Sequence, residues 1–361
     1  MLPISYPTMS PAVQTENKKE IDTSIPQSTG HDGYKKITKG QIKEITATPQ
    51  VTRSDCYLVS TLKALAKSGF GKQMLKQSIK VSPDGDVFEV KFNKYDKDNV
   101  YTVQNDTKYE VATGRSKFNP TGAMETATSD VIQDRRDAKP VYLRVFGYGT
   151  ALEGNLASVY METLTGKKPI SLGDDGVLPL SKRKEKATEL LDKIGDTTMN
   201  KHSFVAGSKL MNCHDGIGKS HYYVIKKVDK NKKEVHLINP RYVDFSKENA
   251  LDDFVTDLKN DSCADKDIEK MKNNVENMPK VIKLDYDKFM DNFRSIVGYF
   301  DEKQSKKHSF CVFLKYNFNL ASLCRFLPAP RFYSPLAKQF NMCYTVENYK
   351  RRKIPWTDDI A

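Results

Sequence analysis

Four residues of this chain supply the side-chain types that a thiol nucleophile needs, and they occur in the order Gln50, Cys56, His221 and Asn239. A thiol attacks a carbonyl carbon as its thiolate, so it needs a base, a group that orients the base, and a donor for the developing oxyanion. Histidine supplies the base, a carboxamide oxygen orients its ring, and a carboxamide N–H reaches the oxyanion. The set therefore predicts nucleophilic acyl transfer.

Cys56 stands at the predicted start of a helix. Apolar residues recur at helical spacing over 58–66, Ser54 precedes them as a candidate N-cap, and Gly69 follows as a stop signal. The first turn of a helix carries unpaired N–H groups and the positive end of the dipole, which favour a thiolate. A single cysteine is more often a small buried hydrophobe. The interpretation of Cys56 as a nucleophile therefore depends on the other three residues.

The segment SHYYVIKKVDKNKKEVHLINP, residues 220–240, predicts a β-hairpin with two apolar strands around a polar loop. His221 begins the first strand and Asn239 ends the second. If these two residues face each other directly, the turn centres on Lys230. The hairpin thus predicts that the Asn239 amide oxygen accepts a hydrogen bond from the imidazole and sets its tautomer.

Other candidate residues have weaker claims than these four. Strand alternation places His236 on the face opposite Asn239, and His202 has no orienting residue across a hairpin. Asp244 has the chemistry to orient a histidine, but it follows the end of the strand. The neighbours Cys213 and His214 have no second pair at ligand spacing, so a zinc site is not expected.

The remaining patterns mix helices and strands. Short alternating stretches bounded by Asp-Gly and Asp-Asn turns predict strands at 78–85, 86–93 and 99–106. Residues 141–165 predict a helix. The expected class is α+β, with a helical lobe that bears Cys56 and a strand-rich lobe that bears His221 and Asn239.

Composition divides the chain into four predicted parts. Residues 1–36 are rich in Pro, Ser, Thr and Gln and predict a flexible tail. The Cys-bearing lobe is expected at 37–170 and the lobe bearing histidine and asparagine at 171–300. Residues 301–361 form a C-terminal extension to which the sequence assigns no role.

Charge and cysteine usage limit the classes of partner. The 361 residues include 58 Lys+Arg and 46 Asp+Glu, a net charge of +12, but the lysines are interleaved with acids as in solvated turns. Nucleic acid is therefore not the expected partner, and the oligomeric state is not predicted. Six cysteines without a C-x-x-C motif indicate free thiols rather than a disulfide framework.

The sequence shows neither the pattern of a secretory signal peptide nor that of a membrane span. The N-terminal residues lack a basic start followed by an apolar block, and no apolar run reaches the roughly 18 residues of a membrane span. The expected location is the cytoplasm, or outside the producing cell after export without a cleaved signal peptide.

The segments around the four residues resemble the calpain branch of the papain-like cysteine proteases. QVTRSDCYLVSTLKAL, residues 50–65, is similar to the calpain nucleophile motif. GIGKSHYYVIKKV, residues 216–228, is similar to its histidine motif, and LINPRY, residues 237–242, to its Asn-Pro-Trp-Gly. Residues 152–169 and 284–296 resemble two non-catalytic segments of the same core. The resemblance covers about residues 37–300, in patches.

This resemblance implies a papain-like, two-lobed fold and a role for each residue. Cys56 would be the nucleophile, His221 the general base and then acid, and Asn239 the residue that orients it. Gln50 and the Cys56 backbone N–H would form the oxyanion hole. The implied reaction is hydrolysis of a protein substrate through an acyl-thioester, from a resting thiolate–imidazolium pair. The chemistry needs no cofactor, and the resemblance leaves regulation by calcium open, since no acidic ligand loop of the family is matched.

Some positions depart from the family pattern. Ser54 replaces a glycine, Tyr57 replaces the tryptophan that follows the cysteine, and Arg241-Tyr242 replaces the Trp-Gly that follows the asparagine. That second tryptophan shields the histidine–asparagine bond from water in the family. Tyr222 or Tyr242 is the expected substitute for it.

Two alternatives stay open. The same Cys-His-Asn set serves glutamine deamidases and transglutaminases, in which the thioester forms at a side-chain amide. A non-catalytic papain-fold protein that binds a partner is the other alternative. A compact protease with a polar leader is also compatible with a bacterial effector that is exported into a host cell.

Overall fold

A computed structural model of the protein describes residues 33–51, 54–95, 100–106, 109, 113–134, 155–173, 180–245, 249–260 and 263–301. Internal contacts divide the chain into one unit at Met1–Gln304 and another at Ser305–Ala361, and every described residue belongs to the first. Most of the predicted tail and nearly all of the predicted C-terminal extension therefore lie outside the described residues.

Helices and antiparallel strands alternate along the described residues. The helices are α1 Lys39–Ala47, α2 Cys56–Lys67, α3 Gly69–Ser78, α4 Pro120–Asp134, α5 Ala157–Thr165, α6 Leu180–Gly195, α7 Ala250–Asn260, α8 Asp265–Glu276 and α9 Tyr286–Asn292. The strands are β1 Lys35–Lys36, β2 Ile79–Val81, β3 Val87–Lys91, β4 Val100–Gln104, β5 Ile170–Leu172, β6 His202–Ser208, β7 Tyr222–Asp229, β8 Glu234–Ile238, β9 Ile282–Asp285 and β10 Phe293–Phe300. The predicted α+β class is confirmed at this level.

The strands form two separate sheets. One has the order β1-β2-β3-β4 and the other the order β5-β10-β6-β7-β8-β9, and every pairing in both is antiparallel. The change from the first sheet to the second falls at Ile170, where β5 begins. The three strands predicted before that point are confirmed as β2, β3 and β4. The division of the chain into two lobes stays a prediction.

Two predicted boundaries change. Lys35 and Lys36 pair with Val81 and Lys80, so the prediction of a flexible tail that extends to residue 36 is wrong at its last residues. The buried side chain of Ile37 explains this, because it places the preceding residues beside β2. Of the helix predicted at 141–165, α5 accounts for residues 157–165, and residues 141–154 lie outside the described part.

Helix α2 is the central helix of the Cys-bearing region. Eleven of its twelve residues are buried, and it packs against β6 and β7. Its two ends differ from the prediction. Asp55, not Ser54, is the residue that flanks its start, and the helix ends at Lys67 because Ser68 caps the next helix by accepting a hydrogen bond from the Gly71 N–H at 2.9 Å. Gly69 therefore begins α3 rather than terminating α2.

The six-stranded sheet is covered on both faces, which explains its continuous apolar runs. One face joins the core around α2 through Val205, Tyr222, Val224, Val297 and Tyr299. The other face packs with α6 and α9 through Phe204, Ala206, Tyr223, Ile225 and Ile296. Strand β7 therefore has α2 on one side, and this places its first residues near the start of that helix.

A third, smaller core lies between α7 and α8 and the loops that follow Gln50 and Asn239. Val51 and Val243 are buried in it with Phe254 and Leu258 of α7. Burial of both loop residues in one cluster holds the two loops side by side. In the described part of the chain, no helix combines the length and apolarity that crossing a membrane requires.

Candidate active site

The β7–β8 hairpin is present, but its turn is displaced from the predicted position. The last paired residues are Asp229 and Glu234, so the turn spans residues 230–233 and the predicted centre on Lys230 is wrong. Lys233 has a φ of 51°, and the Lys232 N–H donates to the Asp229 carboxylate at 3.2 Å. These local contacts explain a four-residue turn that the apolar pattern alone does not specify.

The displaced register nevertheless leaves the predicted contact intact. The last ladder pair toward the open end is Val224 with Ile238, so His221 and Asn239 both lie just beyond the paired residues. The His221 Nε2 and Asn239 Oδ1 atoms lie 3.0 Å apart and both residues are buried, so the predicted hydrogen bond is confirmed.

A second contact settles how the Asn239 carboxamide is oriented. The backbone N–H of Arg241 donates to the same Oδ1 atom at 3.0 Å. An amide N–H requires an acceptor, so the atom that faces the imidazole is the oxygen. The oxygen in turn requires a hydrogen on His221 Nε2. This tautomer leaves Nδ1 of the ring as the nitrogen able to accept a proton.

The backbone of His221 is held by Ser208 at the end of β6. The His221 N–H donates to Ser208 Oγ at 2.9 Å, the Ser208 N–H donates to the His221 carbonyl at 2.8 Å, and Ser208 Oγ donates to the Gly218 carbonyl at 2.6 Å. Ser220, just before the histidine, has a φ of 48°. One buried hydroxyl therefore links His221 to the loop that precedes it.

An aromatic ring contacts the His221 imidazole, but it is not one of the two expected. Tyr223 packs edge-on against the ring, with centroids 4.9 Å apart and an interplanar angle of 90°. Tyr222 belongs to the core around α2, and Tyr242 instead donates its backbone N–H to the Asn239 carbonyl at 3.0 Å. Tyr223 makes this contact because residues two apart on a strand share a face, and it lies two residues after His221.

Burial keeps His221 neutral. Desolvation lowers the pKa of its imidazole to about 3, and the positive charge of Arg241 acts in the same direction. The hydrogen bond that His221 donates to Asn239 opposes both effects and is the smallest of the three. An imidazole in this environment is a neutral hydrogen-bonded group near pH 7.

Cys56 lies at the start of α2 with its thiol directed toward the histidine-bearing segment. It is 8% exposed, and its Sγ atom is 4.0 Å from the carbonyl oxygen of Ser220, the residue before His221. Burial raises the pKa of the thiol to about 11, and the Tyr222 backbone N–H opposes the rise. The expected resting thiolate–imidazolium pair is therefore not favoured in this arrangement.

Gln50 lies beside the loop that carries Asn239. Its backbone N–H donates to the Pro240 carbonyl at 2.9 Å, and its side chain is buried. The buried ammonium of Lys63, on α2, donates to the same carbonyl at 3.1 Å. The residue after Asn239 is thus bonded both to Gln50 and to the helix that starts at Cys56.

The structure therefore brings the four predicted residues into one region, though not through equal contacts. His221 and Asn239 are directly hydrogen-bonded, and Gln50 reaches the Asn239 loop through its backbone. Cys56 approaches through the Ser220 carbonyl, and among the described contacts its thiol does not hydrogen-bond the His221 ring.

Several residues of this region have no counterpart in the predictions from sequence. Ser208 and Lys63 are two of them. The others are the buried Arg115, the Glu125 carboxylate that it binds, and Asp55 next to Cys56. Lys63 could have been recognised from the sequence, because a lysine inside an otherwise apolar helix indicates a buried hydrogen-bond partner. Arg115 and Glu125 could not have been recognised in this way, because their neighbours along the chain resemble an ordinary polar loop and helix.

The other three histidines in the described part of the chain lie apart from these contacts. His236 is close to the Glu234 carboxylate at 3.4 Å, and the exposed His214 donates its backbone N–H to the Asn292 side chain at 2.6 Å. His202 is buried at the start of β6, where desolvation lowers its pKa to about 4. Among the residues described here, no group of three or more His, Cys, Asp or Glu side chains is arranged to hold a metal ion.

Comparison with known proteins adds no family to these observations. No model of a protein family matches the chain, and a search of curated proteins finds no significant similarity. The resemblance to calpain-like proteases therefore stays a prediction from the residues quoted above.

Proposed function

We propose that this protein is a papain-like, calpain-related cysteine endopeptidase. The observation that carries the proposal is the 3.0 Å hydrogen bond between His221 Nε2 and Asn239 Oδ1, formed where the Cys56 thiol lies 4.0 Å from the preceding Ser220 carbonyl. Papain-like catalysis needs an imidazole whose far nitrogen is held by a carboxamide oxygen, beside a cysteine at a helix start.

The residues support a specific sequence of steps. The Cys56 sulfur attacks the carbonyl carbon of a peptide bond while His221 Nδ1 takes the thiol proton, and the carbonyl π bond becomes an oxyanion. The Cys56 backbone N–H and the Gln50 carboxamide N–H stabilise that oxyanion. When it collapses, the C–N bond breaks, His221 gives its proton to the leaving amine, and an acyl-thioester remains. Water, deprotonated by His221, then hydrolyses the thioester and restores the thiol.

The electrostatics indicate that the described arrangement is a resting state. Burial holds the pKa of His221 near 3 and that of Cys56 near 11, so the proton stays on sulfur. Catalysis would require a change that brings the thiol into hydrogen-bonding contact with His221 Nδ1 and stabilises the ion pair. Substrate binding is one such change, and a regulatory cation such as calcium is another that the resemblance suggests.

A comparison of wild type with Cys56→Ala tests the proposal. Each protein is incubated with an unfolded protein substrate, with calcium or with a chelator, and the products are read by intact mass. We expect peptide fragments from the wild type only. The calcium arm reports separately whether the cation regulates the reaction.

The same experiment separates the two alternatives. An uncut substrate whose mass increases by about 1 Da, the change from amide to acid, in the wild-type sample only would indicate deamidation. A larger adduct on glutamine would indicate transfer. An unchanged substrate in all samples, including those with an amine acceptor and a panel of unfolded proteins, would favour a non-catalytic binding protein.

A further inference from the structure

A buried ionic cluster joins the two segments that would hold the nucleophile and the oxyanion donor. Arg115, Glu125 and Asp55 are 2%, 1% and 1% exposed. The Arg115 guanidinium donates to both carboxylate oxygens of Glu125, at 2.7 Å from Nε and at 2.6 Å from Nη2. Such a bidentate pair satisfies both partners, and burial of one without the other would be strongly unfavourable.

The third donor of Arg115 reaches the Gln50 segment. Its Nη1 atom donates to the carbonyl of Pro49, the residue before Gln50, at 3.0 Å. The segment that carries Arg115 is itself anchored, because the N–H and hydroxyl of Ser116 both donate to the Asp257 carboxylate of α7 at 2.7 Å. Because the Arg115 segment is anchored to α7, its guanidinium fixes the position of the Pro49 carbonyl.

Glu125 reaches the other segment, at the start of α2. Its carboxyl hydrogen-bonds to the carboxyl of Asp55, the residue before Cys56. Two carboxyl groups bond to each other only if one carries a proton, and Glu125 is the one that Arg115 neutralises. Burial and the charge of Glu125 both raise the pKa of Asp55, and the charge of Arg115 opposes them less strongly.

We propose that Arg115 and Glu125 are positioning residues for the candidate active site: Arg115 holds Gln50 through the Pro49 carbonyl, and Glu125 holds the Asp55 carboxyl beside Cys56. This inference rests on the proposed function for its catalytic meaning. The protonated form of Asp55 favours a reactive thiol, since an ionised carboxylate beside Cys56 raises the pKa of that thiol. The groups that surround Asp55 are Glu125, Arg115 and the hydroxyls of Tyr57 and Tyr160.

A double-mutant cycle tests the Arg115 part. Arg115→Lys keeps the charge but loses the three-donor geometry, and we expect kcat to fall about tenfold with little change in KM. Gln50→Ala alone should cost about 10²–10³-fold, the usual effect of losing an oxyanion donor. If Arg115 acts through Gln50, adding Arg115→Lys to Gln50→Ala should change kcat by less than about threefold. Fully additive losses in folded proteins would overturn this part.

A neighbouring lysine provides the control for the cycle. Lys117 lies two residues from Arg115 and forms an exposed ion pair with Asp253 at 2.5 Å. Lys117→Met should leave kcat and KM within about twofold of wild type, because exposed pairs contribute little. A loss in Lys117→Met equal to that in Arg115→Lys would mean that any disturbance of the segment lowers activity, which would overturn the specific role of Arg115.

A reactivity measurement that needs no substrate tests the Glu125 part. The rate of Cys56 alkylation by iodoacetamide at pH 8 is followed by mass on the peptide that contains it. In Glu125→Gln, Arg115 is left to pair with Asp55, which ionises, so alkylation should slow at least about threefold. In the Asp55→Asn/Glu125→Gln double variant no carboxylate remains, and the rate should recover toward wild type.

The two readouts separate the inference from the proposed function. Slower alkylation in Glu125→Gln with recovery in the double variant supports the inference even if the wild type cleaves no substrate. An unchanged alkylation rate in folded Glu125→Gln would overturn the inference even if the wild type is an active protease. If Glu125→Gln does not fold, an alkylation rate well below wild type in the folded Asp55→Asn/Glu125→Gln variant would also overturn the inference.

Discussion

Asn239 Oδ1 lies 3.0 Å from His221 Nε2, although neither residue belongs to the β7–β8 ladder, whose last pair at this end is Val224 with Ile238. The Arg241 N–H bonds the same oxygen, so rotation of the carboxamide would break two hydrogen bonds. The orientation of the imidazole is thus set by the backbone just beyond β8.

Loss of this carboxamide should reduce activity without unfolding the protein. In Asn239→Ala the imidazole loses the acceptor that sets its tautomer, so we expect kcat to fall at least about tenfold, equivalent to roughly 1.4 kcal/mol. KM should change little. Steady-state kinetics on the substrate found with the wild type provide the measurement. His236→Ala, on the opposite face of the same hairpin, should match wild type, and an equal loss there would contradict the assignment.

Two buried serines on β6 allow a matched comparison. The Ser208 hydroxyl bonds the His221 segment, whereas the Ser203 hydroxyl donates to the Ser68 hydroxyl at 2.5 Å. Replacement of either by alanine should lower the free energy of unfolding by about 1–3 kcal/mol, measured by urea denaturation. Only Ser208→Ala should also lower kcat, because only it frees the His221 backbone. Equal kinetic losses in both variants would show that the effect is one of general stability.

The resting thiol should titrate far above the usual range. Because burial raises the pKa of Cys56 to about 11, its alkylation rate should increase nearly tenfold per pH unit from pH 7 to 10. The urea-unfolded protein should instead approach a plateau near pH 9. A thiolate already formed at pH 6 in the folded protein would give a flat profile. That result would show that the ion pair exists without substrate.

Acid should destabilise the fold through a histidine outside the candidate site. Burial lowers the pKa of His202 to about 4, so its stabilising contribution is complete above the unfolded value of 6.5 and is lost progressively as pH falls from 6.5 to 4. Between pH 7 and 4.5 that loss is about 2–3 kcal/mol. Urea denaturation at both pH values should show a smaller difference in His202→Gln than in wild type. His214→Gln, an exposed position, should retain the full difference.

Glycine requirements provide a test of the six-stranded sheet. A Cβ atom at Gly298 in β10 would lie 2.0 Å from the Ser203 carbonyl oxygen, whereas at Gly40 in α1 its nearest neighbour is a side-chain oxygen at 3.6 Å. Gly298→Ala should therefore cost at least about 2 kcal/mol of stability. Gly40→Ala should add about 0.5–1 kcal/mol, because alanine favours a helix. Thermal unfolding of both variants is the measurement, and a tolerated Gly298→Ala would contradict the β6–β10 register.

Local pattern accounts for much of the fold. Strands β2, β3 and β4 and the hairpin were predictable because period-two alternation and turn residues are local properties of the chain. Helix α2 was predictable from its apolar spacing, although its caps were not, since Ser68 serves the following helix. The register of the hairpin was not predictable, because a bulge between Ile225 and Lys227 adds a residue that no alternation reveals.

The four candidate residues and the hairpin that brings His221 and Asn239 to the same end are predictable from short segments, since residue type, chain order and strand pattern are local properties. The protonation of these residues and the contacts that support them depend on tertiary packing. Burial, which depends on how α2 and the six-stranded sheet pack, keeps Cys56 and His221 neutral. The cluster of Arg115 and Glu125 likewise exists only after folding, because a buried charge is stable only when distant segments bring its partner to it.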